Sequence, residues 1–295
     1  MKLQRYGYGS SFNELNIHGE IIKKRSVDTE KIKKEMAFYR YVERNGINFP
    51  MVDILAFHDD GYDMKYLYSW IPLYKMYNGT DKVYKYLDML HSHEVHLVSK
   101  EYFIQQLIYE IDEKIKMRYE KIREILKKYS HVTHVNDRKV MDFYNLLDHI
   151  NNKLIDIVSN WNTFNFVPVH GDCQFNNILT NGEDIVFIDP RGYYGKSVIF
   201  GMKEYDYAKV LLALTGYDEF DNRNIDTLDI TNHSIRVKLN PLEDNIFNNS
   251  EFVVLLMLNI WLGNAHSFSN NETKMVYSYF IALYLGTTYI EENHL

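Results

Sequence analysis

The chain has 295 residues, of which 46% are hydrophobic and 25% charged, a composition typical of a globular protein with one large domain or two lobes. Its formal net charge of −7 argues against a nucleic-acid-binding protein, which normally carries a basic face. The single cysteine, Cys173, excludes an intrachain disulfide and favours a reducing compartment.

The first 70 residues predict a five-stranded sheet with one helix. Apolar runs and glycine turns predict strands at 3–6, 12–17, 20–24, 51–57 and 64–68. Between the third and fourth strands, Ile32, Met36 and Tyr39 follow one another at steps of three and four residues, which is the period of a helix. The helix is predicted at 29–44, with Asp28 as its N-cap and Thr29 as the rival.

From residue 74 onward the pattern is mainly helical. Helices are predicted at 82–93, 102–129, 137–161, from 205 and at 251–290, with a β-rich island at 166–188 and a polar loop at 218–249. These patterns therefore predict a β-rich lobe, residues 1–72, and a larger helical lobe, residues 73–295, with the chain passing once from the first lobe to the second near 70–72.

The segment 167–192, VPVHGDCQFNNILTNGEDIVFIDPRG, combines oxygen-bearing side chains with a predicted β-hairpin. A hairpin brings the residues before its first strand close to those after its second, so Asn177 and Asp189 should converge. One neutral and one anionic oxygen ligand suit Mg²⁺. Asp172 precedes the hairpin, where a carboxylate can accept the proton of an attacking hydroxyl. His170 is expected to brace this loop by hydrogen bonds.

The run HGDCQFNN resembles the HxDxxxxN signature of aminoglycoside and choline-type phosphotransferases, which are relatives of protein kinases, and IDPRG resembles their metal-binding Asp segment. The resemblance implies an α+β, two-lobed protein-kinase-like fold with a small β-rich N-lobe and a larger, mainly helical C-lobe. It also implies Mg²⁺ and a nucleotide co-substrate, ATP or GTP. Asp172 would be the catalytic base or hydroxyl-positioning residue, and Asn177 and Asp189 would bind Mg²⁺.

The same resemblance implies two nucleotide-binding segments of backbone. The hinge at 68–72 would contact the base, and the turn at 6–12 would cover the phosphates, although that turn lacks the full glycine spacing of protein kinases. The residues concerned are Ser69, Trp70 and Ile71 in the hinge and Gly9, Ser10 and Ser11 in the turn.

A lysine on the third strand is implied to reach the phosphates and to pair with a glutamate on the following helix. Lys23 and Lys24 are both candidates, and the alternation of a strand lets only one of them face the cleft. The position of Lys23 at the end of an apolar run favours it slightly, and Lys24 stays open. Glu35 is the expected partner because it lies within the core-facing stripe of the helix.

Two further residues are expected to support the site. Arg191 has two open interpretations: its planar fork contacts a phosphate or substrate carboxylate, or it braces the metal loop through an internal salt bridge. Asp206 opens or lies in the first turn of a helix, and in the family a comparable Asp braces the catalytic loop. The run 188–220 resembles kinase-like proteins associated with bacterial surface-polysaccharide pathways.

These motifs predict a small-molecule kinase that transfers the γ-phosphoryl group of ATP or GTP to a hydroxyl of a sugar, an amino-alcohol or a related cell-surface precursor. The alternatives are an aminoglycoside-modifying phosphotransferase and a non-catalytic nucleotide-binding module, which would lack one of the site residues. The acidic residues between 218 and 229 are expected in a solvated loop. With no secretion signal visible and an apolar stretch at 252–262 that is too short to span a bilayer, we expect a cytoplasmic protein without nucleic-acid partners. The sequence predicts no particular oligomeric state.

Overall fold

A computed structural model describes residues 13–76, 79–238 and 249–293 of the chain, and these residues divide into two units. The first unit takes its described residues from Met1–Phe103, Thr163–Ala213 and Asp218–Asn222, and the second from Ile104–Asn162, Leu214–Tyr217 and Arg223–Leu295. The first unit contains both the N-terminal sheet and the predicted catalytic hairpin. The proposed lobe boundary at 72/73 stays a prediction.

The N-terminal sheet has four described strands in the order β1-β2-β4-β3, all antiparallel. They are β1 (Asn13–His18), β2 (Ile21–Ser26), β3 (Ile54–His58) and β4 (Gly61–Lys65). These correspond to four of the five predicted strands, and the strand predicted at 3–6 lies outside the described residues. The phosphate-covering turn with Gly9, Ser10 and Ser11 lies outside them too.

Helix α1 (Thr29–Arg44) connects β2 to β3 and has the predicted bounds. Its N-cap is Asp28, whose side chain accepts a hydrogen bond from the backbone N–H of Lys31. Ile32, Met36 and Tyr39 pack with the buried residues of the sheet, because the stripe at steps of three and four faces one side of the helix. That packing presents the buried Glu35 to the strands as well.

A three-stranded sheet carries the predicted hairpin. Its strands are β5 (Ile71–Pro72), β10 (Ile178–Thr180) and β11 (Ile185–Phe187), in the order β11-β10-β5. The first unit also contains the helices α2 (Thr80–His93), α6 (Lys203–Leu214) and most of α7 (Tyr217–Asn222). Two further small sheets have the orders β14-β9-β6 and β12-β13, from the strands β6 (His96–Leu97), β9 (Asn165–Pro168), β12 (Tyr193–Tyr194), β13 (Ser197–Val198) and β14 (Phe200–Gly201).

The second unit is mainly helical. Its elements include the C-terminal part of α3 (Lys100–Ile108), then α4 (Lys114–Leu126), α5 (Phe143–Ser159), α8 (Glu251–Asn264) and α9 (Glu272–Glu292), with a small sheet of β7 (His134–Val135), β8 (Arg138–Lys139), β15 (Asp229–Thr231) and β16 (Ser234–Arg236). An 18-residue stretch, Glu251–Phe268, is apolar and long enough to cross a membrane by composition alone, but 83% of it is buried inside the fold.

Three predicted elements of the helical region are wrong in detail. The helix predicted at 102–129 is interrupted by a π-helical segment at Tyr109–Glu113. The one predicted at 137–161 starts only at Phe143, because Asn136 and Asp137 adopt the left-handed conformation of a tight hairpin turn. The loop predicted at 218–249 holds a helix and two strands within its described part, and Asp218 is buried there rather than solvated.

Candidate active site

The hairpin brings Asn177 and Asp189 to the same end. Ile178 lies opposite Phe187 across the antiparallel pair, and the backbone N–H of Ile188 donates to the carbonyl oxygen of Asn177 at 2.9 Å. Asn177, just before the first strand, therefore lies beside Asp189, which follows shortly after the second strand.

Asp172 lies against Asn177 and against a lysine that the sequence did not single out. The Nδ2 of Asn177 donates to the Oδ2 and to the carbonyl oxygen of Asp172, at 3.0 and 2.9 Å. The Nζ of Lys209, on α6, donates to the Oδ1 at 2.9 Å. Burial would raise the pKa of the Asp172 carboxyl, but the Lys209 ammonium group holds it below its ordinary value. The carboxylate is therefore ionised, and its side chain keeps 33% of its surface exposed.

Lys24, and not Lys23, is the lysine of this site. Its Nζ lies 2.6 Å from Oε1 of Glu35 and 3.0 Å from Oδ1 of Asp189, and the residue is only 2% exposed. The preference for Lys23 is wrong because Ile22, Lys24 and Ser26 share the inner face of β2, and two consecutive isoleucines before the lysines gave no information on which face that was. Burial opposes a charged Lys24, but Asp189 and Glu35 together raise its pKa above the ordinary value.

Asp189 is held by two buried tyrosines in addition to Lys24. Its backbone N–H donates to the hydroxyl of Tyr39 on α1 at 3.2 Å, and its Oδ1 accepts a long hydrogen bond, 3.4 Å, from the hydroxyl of Tyr62 on β4. The backbone of Asp189 is left-handed, with a φ of 53°, a conformation that Asp tolerates better than most residues. Helix α1 thus contacts this segment directly through Tyr39 and indirectly through Glu35, which pairs with Lys24.

The loop before Asp172 rests on a buried carboxylate. Asp206 is fully buried on α6 and accepts hydrogen bonds from the backbone N–H groups of His170 and Gly171, at 3.0 and 2.7 Å. Its Oδ2 also lies 3.0 Å from Nε2 of His91 on α2. Burial raises the pKa of Asp206, but His91 and the loop donors lower it below its ordinary value. Three chain segments are therefore joined at one carboxylate.

His170 is a fully buried part of the same support. Its Nε2 lies 3.2 Å from the carbonyl oxygen of Ile188, and its Nδ1 accepts from the backbone N–H of Asp172 at 3.3 Å. The aromatic rings of Phe38, Phe49 and Phe187 surround it. Burial lowers its pKa, so the imidazole is neutral and links the loop to the end of the hairpin.

Arg191 contacts two tyrosines. Its NH1 donates to the hydroxyl of Tyr205 at 2.9 Å, and its guanidinium stacks over the ring of Tyr193 with 3.9 Å between the guanidinium carbon and the ring centroid. The backbone N–H of Arg191 donates to the carbonyl oxygen of His170. These contacts join Arg191 to Tyr193, to Tyr205 on α6 and to the backbone of His170.

The hinge residues form the end of the hairpin sheet. Ser69 adopts a left-handed conformation, with a φ of 64°, in a turn that the backbone N–H of Trp70 closes by donating to the carbonyl oxygen of Leu67. Ile71 then pairs with Thr180, so β5 is the edge strand next to β10. An edge strand offers backbone donors and acceptors on one side.

Solved structures with the same architecture are small-molecule kinases. Choline kinase LicA from Streptococcus pneumoniae has 14% identity, with 98% of this chain and 94% of that one covered and a TM-score of 0.56. A choline/ethanolamine kinase family protein from Mesorhizobium loti has 12% identity, with 97% and 87% covered and a TM-score of 0.54. A thermostable mutant of aminoglycoside phosphotransferase APH(4)-Ia has 12% identity, with 98% and 94% covered and a TM-score of 0.56.

The chain has the protein-kinase-like fold. The predicted fold class is confirmed, and the resemblance drawn from HGDCQFNN and IDPRG agrees with these structures. No protein-family model and no curated protein sequence matches the chain.

In this kinase-like fold, the residues beside the hairpin suit a magnesium ion. Asn177 uses its Nδ2 toward Asp172, and its Oδ1 has no hydrogen bond within the described residues. Asp189 directs Oδ1 to Lys24 and is still about one-third exposed, at 32% of its side-chain surface. One amide oxygen and one carboxylate are hard ligands that Mg²⁺ accepts when water and phosphate complete its shell.

Sequence reasoning missed four residues that contact the candidate site residues: Lys209, His91, Tyr39 and Tyr62. Lys209 had a usable signal, because a lysine between Ala208 and Val210 in an apolar helix needs a partner once it is buried. The tyrosines had none, since their spacing fits a core stripe equally well.

Proposed function

We propose that the chain is a Mg²⁺-dependent phosphotransferase that moves the γ-phosphoryl group of ATP or GTP to a hydroxyl group of a small molecule. The observation that carries the proposal is the meeting of two ionic clusters at one hairpin. On one side of the hairpin end, Asp172 contacts Asn177 and the ammonium group of Lys209. On the other side, Asp189 contacts Lys24, which also pairs with Glu35. A ternary complex of streptomycin, ATP and APH(2'')-IIa, with a TM-score of 0.52 to this chain, supports a nucleotide and a small acceptor together.

The side chains divide the work of transfer. When bound, Mg²⁺ neutralises part of the phosphate charge, and Asn177 and Asp189 would bind the ion. Lys24, fixed by Glu35, donates to phosphate oxygens. Asp172 accepts a hydrogen bond from the acceptor hydroxyl and aims its oxygen at the γ-phosphorus. As that oxygen bonds to phosphorus, the bond to the bridging oxygen breaks, ADP or GDP leaves, and Asp172 takes the hydroxyl proton.

Nucleotide binding by the backbone is the second part of the proposal. The edge strand that contains Ile71, with the turn at Ser69 and Trp70, would contact the base. Gly9, Ser10 and Ser11, outside the described residues, would cover the phosphates. Backbone groups can pair with adenine or guanine, so ATP and GTP are both retained as candidates.

The acceptor we propose is a sugar, an amino-alcohol or a related cell-surface precursor, phosphorylated in the cytoplasm. Support comes from a choline kinase among the structures of this fold and from the resemblance of the run 188–220 to kinase-like proteins associated with bacterial surface-polysaccharide pathways. A hygromycin B complex of the same fold keeps an aminoglycoside as the second acceptor class. A non-catalytic binding module is disfavoured, because Lys24, Asp172, Asn177 and Asp189 are all present and grouped in contacts.

Thermal melting with ATP or GTP, with and without Mg²⁺, tests nucleotide binding first, because a ligand of the folded state raises the melting temperature. ADP or GDP release is then followed with choline, ethanolamine, sugars and aminoglycosides. Asp172→Asn should bind nucleotide but lose turnover, and Asp189→Ala should lose the effect of Mg²⁺ on binding. Asp184→Asn, which changes an exposed carboxylate in the hairpin turn, is the control. A wild-type protein with no Mg²⁺-dependent nucleotide shift, or full turnover by Asp172→Asn, would overturn the proposal.

A further inference from the structure

Lys209 is a buried cation in an apolar helix. Its side chain is 10% exposed, and its neighbours Ala208, Val210 and Leu211 are fully buried. Burying an ammonium group is costly unless it is paired, and the described partner is the carboxylate of Asp172 at 2.9 Å. The ring of Tyr205 also lies near, with its centroid 6.0 Å from Nζ.

The two oxygens of Asp172 are occupied from different elements. Oδ2 accepts from Asn177, on the side of the proposed metal ligands, and Oδ1 accepts from Lys209 on α6. An ammonium group has three N–H donors, so the bond to Asp172 leaves Lys209 further donors. The acceptor hydroxyl must lie within about 3 Å of the Asp172 carboxylate, and the attacked phosphorus about 3–3.5 Å beyond it. Because Nζ of Lys209 lies 2.9 Å from Oδ1 of Asp172, a phosphoryl group on the Oδ1 side of the carboxylate would come within reach of Nζ.

We propose that Lys209 is a second catalytic cation, which donates a hydrogen bond to an oxygen of the phosphoryl group in transfer while it holds Asp172. This inference rests on the proposed function. The charge of the phosphoryl group spreads over three equatorial oxygens in the transition state. Lys24 and the metal ligands contact the phosphates of the nucleotide, and Lys209 contacts the phosphoryl group from the side of the acceptor hydroxyl. Lys209 forms no covalent bond and keeps its proton, because the hydroxyl proton passes to Asp172.

A purely structural role would give Lys209 a different behaviour. If Lys209 only compensates the charge of Asp172, its removal should not change the binding of a transition-state analogue once residue 172 is neutral. If it contacts the phosphoryl group, its removal should still weaken binding of a transition-state analogue in that background. The Asp172→Asn background therefore separates the two roles.

The experiment measures dissociation constants by calorimetry for ADP with Mg²⁺, and for the same mixture with aluminium fluoride, which mimics the phosphoryl group in transfer. The variants are Lys209→Met, Asp172→Asn and the double variant, with Lys203→Met at the exposed start of α6 as the control. The double variant also covers the case in which Lys209→Met alone fails to fold, since it leaves no uncompensated carboxylate.

We expect Lys209→Met to weaken the aluminium fluoride complex by about ten- to a hundredfold, in wild-type and in Asp172→Asn backgrounds, with ADP alone changed less than about twofold. Equal affinities for the aluminium fluoride complex in Asp172→Asn and in the double variant would overturn the role of Lys209. A wild-type protein that binds no ADP would instead overturn the proposed function, and the inference with it.

Discussion

Gly192 lies against the backbone of α1 at Lys34, so closely that a Cβ on Gly192 would be 2.2 Å from the carbonyl oxygen of Lys34. The φ of Gly192 is 69°, in the left-handed region that favours glycine. Glu35 follows Lys34 directly, and Asp189 precedes Gly192 by three residues. The close approach therefore packs the helix that orients Lys24 onto the segment that supplies the proposed metal ligand.

Gly192→Ala should destabilise the protein and weaken nucleotide binding together. The new methyl group would clash with backbone atoms of α1, which cannot move aside as a flexible side chain could, and alanine is strained at this φ. The free energy of unfolding should therefore fall by at least about 2 kcal/mol. Gly46→Ala is the matched control, because Gly46 has a similar φ of 58° but nothing within 4 Å of the added Cβ. Urea unfolding of both variants, with Mg²⁺ and ATP titrations, gives the comparison. Equal losses in the two variants would contradict the role given to the close approach.

Lys24→Met should weaken nucleotide binding by about ten- to a hundredfold, the range for one charge-assisted hydrogen bond. Lys23→Met is a control from the adjacent position of the same strand, where the side chain does not share the inner face with Ile22. It should bind ATP like the wild type. Calorimetric titration of ATP with Mg²⁺ into both variants makes the comparison, and similar affinities for the two would contradict the assignment of Lys24.

Stability has to be separated from binding in that experiment. Glu35 and Asp189 lose their shared cation in Lys24→Met, and breaking a buried ion pair costs about 3–5 kcal/mol. Adding Glu35→Gln removes one uncompensated charge and should restore part of the melting temperature. Nucleotide affinity should stay low in the double variant, since the phosphate donor is still absent.

The sequence could predict the site where local geometry decides it. The turn Asn181-Gly182 fixes a hairpin, and a hairpin places Asn177 beside Asp189 whatever surrounds it. Asp28 and the stripe of α1 predict the helix bounds for the same reason. These features depend on residues close in the chain, so periodicity and turn chemistry are sufficient.

Residues brought together from distant parts of the chain could not be predicted in the same way. Lys209 meets Asp172 across 37 residues, and Tyr39 meets Asp189 across 150. Lys23 and Lys24 differ only in the phase of β2, which is set by pairing with β1 and β4 and by packing under α1.

Tyr39→Phe should raise the Mg²⁺ concentration needed for nucleotide binding without unfolding the protein. The change keeps the ring in the core but removes the oxygen that accepts from the backbone N–H of Asp189, and an unsatisfied buried donor costs about 1–3 kcal/mol. Tyr62→Phe is the comparison, because the Tyr62 hydroxyl contacts the Asp189 side chain at 3.4 Å and the Tyr39 hydroxyl, and its loss leaves the backbone N–H of Asp189 bonded to Tyr39, so it should matter less. Mg²⁺ titrations at fixed ATP, with the melting temperature as the readout, would show which variant needs more Mg²⁺. A larger effect in Tyr62→Phe than in Tyr39→Phe would contradict the prediction.

Asp218→Asn should gain stability relative to the wild type as the pH rises. Asp218 is fully buried and accepts from the backbone N–H groups of Phe175 and Asn176, at 2.9 and 3.3 Å. Burial, together with the nearby Asp221, raises the pKa of Asp218 to about 8. An unfolded Asp titrates near pH 3.9, so between about pH 4 and 8 the folded state binds the extra proton.

The free energy of unfolding of the wild type should therefore fall through this window, because stability falls with pH wherever the folded state binds more protons. Asn at 218 does not titrate and still accepts one of the two hydrogen bonds, so the variant lacks this component of the slope. Urea unfolding at about pH 5, 6.5 and 8 should show the difference, variant minus wild type, rising with pH. Asp184→Asn, at an exposed carboxylate, should run parallel to the wild type. A difference for Asp218→Asn that is flat or falling would mean that Asp218 is already ionised under the catalytic loop.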